Sequence, residues 1–441
     1  MTKLDKAIVR RLFLYVVLLT TALPASAQRS LTLDDALQLA RTYNRNLEAA
    51  RARLDQSAAD VSQAWGALLP KISAQGKYTH NYKDVELNVP IGGFAGDPIV
   101  FLKREQLNAG VTAVVPLVVP SAYPALSAAH KASGARKAEF SVTETTVLFS
   151  VAQAFYAAAG ADEILVARKN AVEVAQETLE NAKVLRQGGK ATKVEVMRAE
   201  VALVRARQAE LEAADMQAQA YRALSTLIGV RKPFRVMTDG KTPPEAPTDN
   251  KLVENALQLR PEFVLYHRSI EAAESSGDAA AWLWAPTLSA FGNLQAYNFK
   301  GVSRDNYSWA VGVQLDWILY DGGVRDAQNE RAGAQRREYA ARLDALSDSV
   351  EDDVINARRA LSTKRSALSS AIRATELSRE TLRLVQIQYE GGKATQLDLL
   401  QAQDSLVAAE VQVARARFAL SLADIQLKRA AGLFPSNRTN P

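Results

Sequence analysis

The stretch 183-KVLRQGGKATKVEVMRAE-200 is answered later in the chain by 385-VQIQYEGGKATQLDLLQAQ-403, with Gly188-Gly189-Lys190-Ala191-Thr192 falling on Gly391-Gly392-Lys393-Ala394-Thr395. Sliding the chain by 203 positions without gaps also sets Thr178 on Thr381, Leu179 on Leu382, Ala199 on Ala402 and Gly229 on Gly432. A period of that length is too long for a solenoid and reads as duplication of a large unit. No proline occurs between Pro124 and Pro233 or between Pro286 and Pro435, and both intervals are rich in Ala, Glu, Gln, Arg and Leu, which are strong helix formers. Two long helices are expected, about Ser121 to Arg186 and about Val324 to Tyr389, each running about 100 Å at 1.5 Å per residue. Each Gly-Gly pair stops its helix, since glycine takes up the left-handed conformation at little cost. The chain then turns back, which makes helical hairpins of 121–228 and 324–431. In the second returning helix Leu397, Leu400, Leu406, Val407, Val411, Val413 and Leu420 recur at heptad-like spacings among alanines, a pattern that suits a coiled coil and equally an ordinary two-helix hairpin.

Upstream, LTLDDALQLARTYNRNLEAARA from Leu31 echoes LVENALQLRPEFVLYHRSIEAA from Leu252. Trp65 to Pro70 and Trp282 to Pro286 then each open a strand-like stretch. Each half therefore reads short helix, helix, strand, loop, strand, long helix, turn, helix. The first half covers 28–229 and the second 251–432, with a linker at 230–250 and a tail at 433–441. Strands are expected near 69–83, 105–119, 287–299 and 306–319. In the last of these, Tyr307, Trp309, Val311, Val313, Leu315, Trp317 and Leu319 form an apolar stripe of period two, opposed by Ser308, Ala310, Gly312, Gln314 and Asp316. Tyr307, Trp309 and Trp317 bracket the aliphatic centre as girdle residues do in a transmembrane barrel. Ile72, Ala74, Tyr78 and Tyr82, and Leu107, Ala109, Val111, Ala113 and Val115, repeat the theme, whereas Thr287 to Phe299 alternates less cleanly. By pattern alone a half-buried soluble strand serves as well. Four strands cannot close a barrel wide enough for a pore, so closure requires oligomerisation.

The 441 residues carry a net charge of +6, with 48% hydrophobic and 23% charged residues, which excludes wholesale disorder. There is no cysteine. Disulfides, Cys-based zinc sites, thiol nucleophiles and a lipidated N-terminal Cys are thereby excluded. His80, His130 and His267 are too scattered for a helix-borne metal site. At the N-terminus, Lys3, Lys6, Arg10 and Arg11 precede an apolar run from Leu12 to Leu23 and a small-residue Ala25-x-Ala27 site. Residues 1–27 are expected to be a signal peptide with the mature chain starting at Gln28, since twelve apolar residues are too few to span a bilayer as a helix. Its four basic residues and Asp5 account for half of the charge, leaving no basis for a nucleic-acid partner. No later run of eighteen apolar residues occurs, so any membrane insertion must use strands.

The opening LTLDDALQLARTYNRNL, the midpoint NALQLRPEF, Asp321-Gly322-Gly323 and YEGGKATQLDLLQAQ, in that order and over essentially the whole mature chain, resemble the TolC family of outer membrane efflux ducts. The resemblance implies a mainly helical trimer. Each chain would give four strands to one shared transmembrane β-barrel, which continues into a long periplasmic α-helical barrel, with residues near 28–43, 229–260 and the tail after Gly432 at an equatorial waist. It places Tyr307, Trp309, Val311, Val313, Leu315 and Trp317 against outer membrane lipid. The tips, Gly188, Gly189, Lys190, Gly391 and Gly392, would meet a periplasmic adaptor (a membrane fusion protein) that couples the duct to an inner-membrane pump or ABC exporter. It also implies a gate. Asp398 matches the family's constriction aspartate, Gln401 replaces a second acidic residue, and Tyr389 matches a tyrosine that ties the entrance helices. The family's basic partner position is Ala394, for which Lys393 is the neighbouring substitute, and Glu195 is the first-half counterpart of Asp398. Equally, Asp398 and Glu195 suit a role at helix N-termini, and Lys190 and Lys393 a role in solubility.

The leading functional expectation is a passive exit duct of a tripartite efflux pump or type I secretion system, with no cofactor or metal and no catalysis. A periplasmic coiled-coil adaptor or scaffold is the alternative, and Tyr307 to Leu319 speaks against it. A hydrolase built on Asp34-Asp35 or Asp352-Asp353 is disfavoured, because adjacent acids on a helix point apart. Gly188-Gly189-Lys190 follows no strand and is not a phosphate loop. With only Met197, Met216 and Met237 after the leader, a methionine track for copper or silver is disfavoured too. The class of cargo is left open.

Overall fold

The computed structural model describes residues 29–87, 90–91, 94–95, 99–240, 242–245, 247–300 and 305–435; the expected signal peptide and the end of the tail lie outside them. Among the described residues the same succession of helices occurs twice. The first set is α1 (Leu33–Tyr43), α2 (Arg45–Gly66), α3 (Ala122–Gln187) and α4 (Lys193–Ile228), of 11, 22, 66 and 36 residues. The second is α5 (Asp249–Leu259), α6 (Pro261–Trp282), α7 (Val324–Glu390) and α8 (Gln396–Ala430), of 11, 22, 67 and 35 residues. No helix among the described residues is long and apolar enough to cross a membrane.

The chain divides into two compact units. The first contains the described residues up to 45, with 147–246 and 359–426. Its helices pack through small residues: Ala175, Leu179, Ala182, Val196, Ala199 and Leu203 form one buried cluster between α3 and α4, where alanine lets two helices approach closely. One rung carries opposite chemistry in the two halves. Arg207 donates to Gln176 at 3.0 Å, whereas at the positions 203 residues later Arg379 donates to Glu410 at 3.2 Å. Short strands β1 (Arg29–Leu31) and β8 (Phe234–Val236) pair in parallel in this unit. The Val236 N–H reaches the Tyr221 hydroxyl at 3.2 Å, and that hydroxyl donates to Asp162 at 2.6 Å. Gly229 ends α4 at φ 68°, where an added Cβ would stand 2.7 Å from the Tyr43 Cβ. Beside it the Asn44 amide donates to the orphaned carbonyl of Leu227 at 2.8 Å.

The second unit contains 46–146, 247–358 and residues from 427. It holds β2 (Lys71–His80), β7 (Glu105–Val118), β9 (Thr287–Tyr297) and β10 (Tyr307–Asp316). Between β2 and β7 lie two further short pairings that the sequence reading did not anticipate: β3 (Val85–Leu87) with β6 (Ile99–Leu102), and β4 (Pro90–Ile91) with β5 (Phe94–Ala95). Here Arg260 plays the part that Asn44 plays in the other unit. Its Nε caps the Ala430 carbonyl at 2.7 Å, and its Nη1 pairs with Asp353 at 3.0 Å.

Candidate functional site

The sheet of the second unit runs β10-β9-β7-β2, with every neighbouring pair antiparallel. Register places Trp309, Leu294, Val111 and Ala74 on one rung and Val311, Gly292, Ala113 and Ile72 on another. The rungs between them join Ser308, Gln295, Gly110 and Gln75, and Ala310, Asn293, Thr112 and Ser73. Because successive residues of a strand face opposite sides, one face of the sheet is apolar and the other predominantly polar. Pairing also resolves the less clean stretch. Leu288, Ala290, Leu294 and Ala296 of β9 share rungs with Leu315, Val313, Trp309 and Tyr307.

Both faces are open: Val311 is 74% and Trp309 67% exposed, and Ser308 and Gln314 on the other face are exposed as well. β10 and β2 each have one strand neighbour, so two edges of the sheet have no strand partner among the described residues. The strands are shorter than expected. β10 ends at Asp316, opposite Thr287, the first residue of β9. Trp317, expected on the lipid-facing strand, therefore lies one residue past it, exposed, with its indole N–H donating to the Trp284 carbonyl at 3.1 Å. Leu319 lies beyond the strand too, and Tyr82 lies beyond β2.

At the turn between α3 and α4 the Gly188 N–H donates to Val184 at 3.1 Å and the Lys190 N–H to Leu185 at 2.8 Å, while Gly189 takes φ 73°. The turn between α7 and α8 repeats this with Gly391 on Ile387 at 3.0 Å, Lys393 on Gln388 at 2.7 Å and Gly392 at φ 71°. The left-handed residue that releases the chain is thus the second glycine of each pair. Lys190 and Lys393 are exposed, and Lys393 makes no ion pair among the described residues.

The two acidic candidates lie at matching places, in capping boxes. The Thr192 hydroxyl accepts from the Glu195 N–H at 3.3 Å while the Glu195 carboxylate accepts from the Thr192 N–H. Likewise the Asp398 carboxylate accepts from the Thr395 hydroxyl at 2.7 Å and from its N–H at 2.8 Å. These bonds hold the Asp398 carboxyl below its ordinary pKa, the hydroxyl bond contributing most. Gln401 is exposed. The Tyr389 phenol is pushed up, first by burial and then by the charge of Glu195, so the structure brings Tyr389 and Glu195 into one electrostatic environment.

A residue that the sequence reading missed joins the two turns. Gln396 is 2% exposed, and its amide donates to the Glu195 carbonyl at 2.8 Å, linking the start of α8 to the start of α4. Its only sequence signal is asymmetry, since the position 203 residues earlier is Lys193. Gln403 adds a bond to Thr178 at 3.0 Å, and Arg417 one to Glu163 at 2.9 Å.

The chain thus combines an antiparallel sheet with one apolar and one predominantly polar face and two long helical hairpins. The family described as outer membrane efflux protein matches residues 36–230 and 252–433, and the chain belongs to that family. It is 25% identical to nodulation protein T of Rhizobium leguminosarum bv. trifolii over 392 residues, covering 85% of this chain and 80% of that one. It is 24% identical to the outer membrane protein TolC of Vibrio cholerae over 417 residues, covering 90% and 91%. The outer membrane channel CmeC of Campylobacter jejuni superposes with a TM-score of 0.74 at 16% identity, covering 91% of this chain and 85% of that one. The protein is accordingly an outer membrane efflux channel protein with a periplasmic extension.

Proposed function

We propose that three copies of this chain form the exit duct of a tripartite efflux pump or a type I secretion system. The carrying observation is the sheet with an apolar face, a polar face and two unpartnered edges. In lipid every backbone N–H and C=O needs a partner, so an open edge is untenable there. Pairing β10 of one copy with β2 of the next satisfies both edges at once. Three copies of the four-stranded sheet give twelve strands, enough for a water-filled lumen. The duplicated hairpins then line a periplasmic conduit, and the turns at Gly188 and Gly391 form its far end, where an adaptor and an inner-membrane pump or ABC exporter dock. Three copies each of Asp398 and Glu195 place carboxylates around that end, with Tyr389, Lys393 and Gln401 beside them. The pump supplies energy and selects cargo; the duct conducts passively.

Membrane fractionation followed by native mass measurement tests this reading. Recovery from the outer membrane only with detergent, as a particle of three chains, is expected; release of monomer by osmotic shock overturns it. Coupling is tested with cysteines placed at Gly188 and Gly391, which carry no positive φ, in a chain that has no native cysteine. Crosslinks from both positions to a periplasmic adaptor are expected.

A further inference from the structure

Between the end of β10 and the start of α7 the chain runs Trp317-Ile318-Leu319-Tyr320 before Asp321. Connecting segments are ordinarily polar. Here four large apolar or aromatic residues in succession are 61%, 61%, 70% and 83% exposed, with Trp282 and Trp284 at the end of α6 also exposed. Beneath them sits a buried charge. The Arg325 side chain is 4% exposed; its Nε pairs with Asp321 at 2.9 Å, and its guanidinium lies 3.7 Å from the centre of the Trp284 ring. Its Nη1 donates to the Ile318 carbonyl at 2.8 Å and to the Leu283 carbonyl at 3.3 Å. With the Trp317 indole on the Trp284 carbonyl, three backbone carbonyls outside the strand ladder are served by side chains.

We propose that residues 317–320 are an interfacial anchor embedded among the phospholipid headgroups and upper acyl chains of the periplasmic leaflet, with Arg325 as the residue that positions it; this rests on the strand reading under Proposed function. Three observations favour lipid as the occupant. The segment continues directly from the apolar stripe Val311, Val313 and Leu315. The ten residues of β10, at about 3.3 Å each and a tilt near 40°, rise about 25 Å, the height of the apolar band, so the chain leaves β10 at the membrane border. There, irregular backbone is tolerated only when its polar groups find partners. Arg325 supplies one to the Ile318 carbonyl, and Arg325 and Trp317 supply others to the Leu283 and Trp284 carbonyls alongside, which fixes the segment at the border where headgroups and water meet the remaining backbone groups. The outward tryptophans and tyrosine suit the same depth, since their amphipathic rings favour the headgroup level.

Nitroxide labels at Leu319→Cys and Tyr320→Cys, with Val313→Cys and Gln314→Cys as references, test this in the full chain reconstituted in phosphatidylethanolamine–phosphatidylglycerol bilayers. Collisions with oxygen should exceed those with a water-soluble nickel chelate at 319 and 320, by less than at 313 and in contrast to 314. Labels at 319 and 320 that favour the nickel reagent, or that meet neither reagent because a second copy covers them, overturn the anchor. If the label at 313 itself favours nickel, the barrel reading falls instead. Arg325→Lys keeps the charge but loses the planar fork; the oxygen excess at 320 should be lost while that at 313 persists. An unchanged signal at 320 would remove the positioning role of Arg325.

Discussion

Tyr221 shows how much one hydroxyl can tie together. It donates to Asp162 on α3 and accepts from the Val236 N–H on β8, while its own chain position is on α4. Burial, followed by the hydrogen bond to Asp162, pushes its pKa up to about 12. A raised pKa in an acid means that the neutral form is the one the fold stabilises. Its contribution is complete below the ordinary tyrosine value of about 10 and is lost as pH rises towards 12. Tyr221→Phe should lower stability at neutral pH by about 1.5–3 kcal/mol, the usual cost of a lost bond to a charged group. It should also flatten the alkaline end of the stability profile, both followed by the thermal transition of the helical circular dichroism. At Asp398 the sign is opposite. Its carboxyl is held low by Thr395, so the support it gives α8 is present at neutral pH and disappears as pH falls below the ordinary carboxylate range. Thr395→Ala should cost about 1 kcal/mol and abolish that acid-dependent step, read from hydrogen exchange of the first turn of α8.

At the scale of elements, glycine position separates two neighbouring substitutions. Gly189→Ala puts a Cβ on a residue at φ 73° and should cost about 1–2 kcal/mol. Gly188→Ala meets only backbone oxygens at 3.6 Å and 3.8 Å and should be close to neutral, as the same thermal transition would show. The long helices are legible in the sequence because proline is missing from two long intervals and Gly-Gly punctuates both. The capping boxes are legible too, as Thr followed three residues later by Glu or Asp. What escapes depends on partners distant in sequence. The parallel pair β1–β8 joins three-residue strands, too short for any periodicity to register. Gln396 acquires its partner only when α4 brings the Glu195 carbonyl alongside. The end of β10 is set by where the neighbouring strand begins, at Thr287, so the stripe read through to Leu319 overruns the strand itself.

At the scale of the whole molecule, the proposed ring of carboxylates has an electrical consequence. Rings of acidic side chains favour cations at a constriction. Asp398→Asn should therefore reduce cation preference in single-channel recordings, and unaltered selectivity would remove Asp398 from the constriction. Conservative replacement of Gln401 by Glu should shift the preference further towards cations.

The rung that carries Gln176 and Arg207 in one hairpin and Arg379 and Glu410 in the other has a bearing on how each hairpin responds to salt. Here one hairpin holds its arginine on the returning helix against a neutral amide, and the other on the outgoing helix against a carboxylate. The two hairpins share one pattern of helices while this exposed rung rests on a neutral amide in one and on an ion pair in the other, so rising salt should loosen the second and leave the first unchanged.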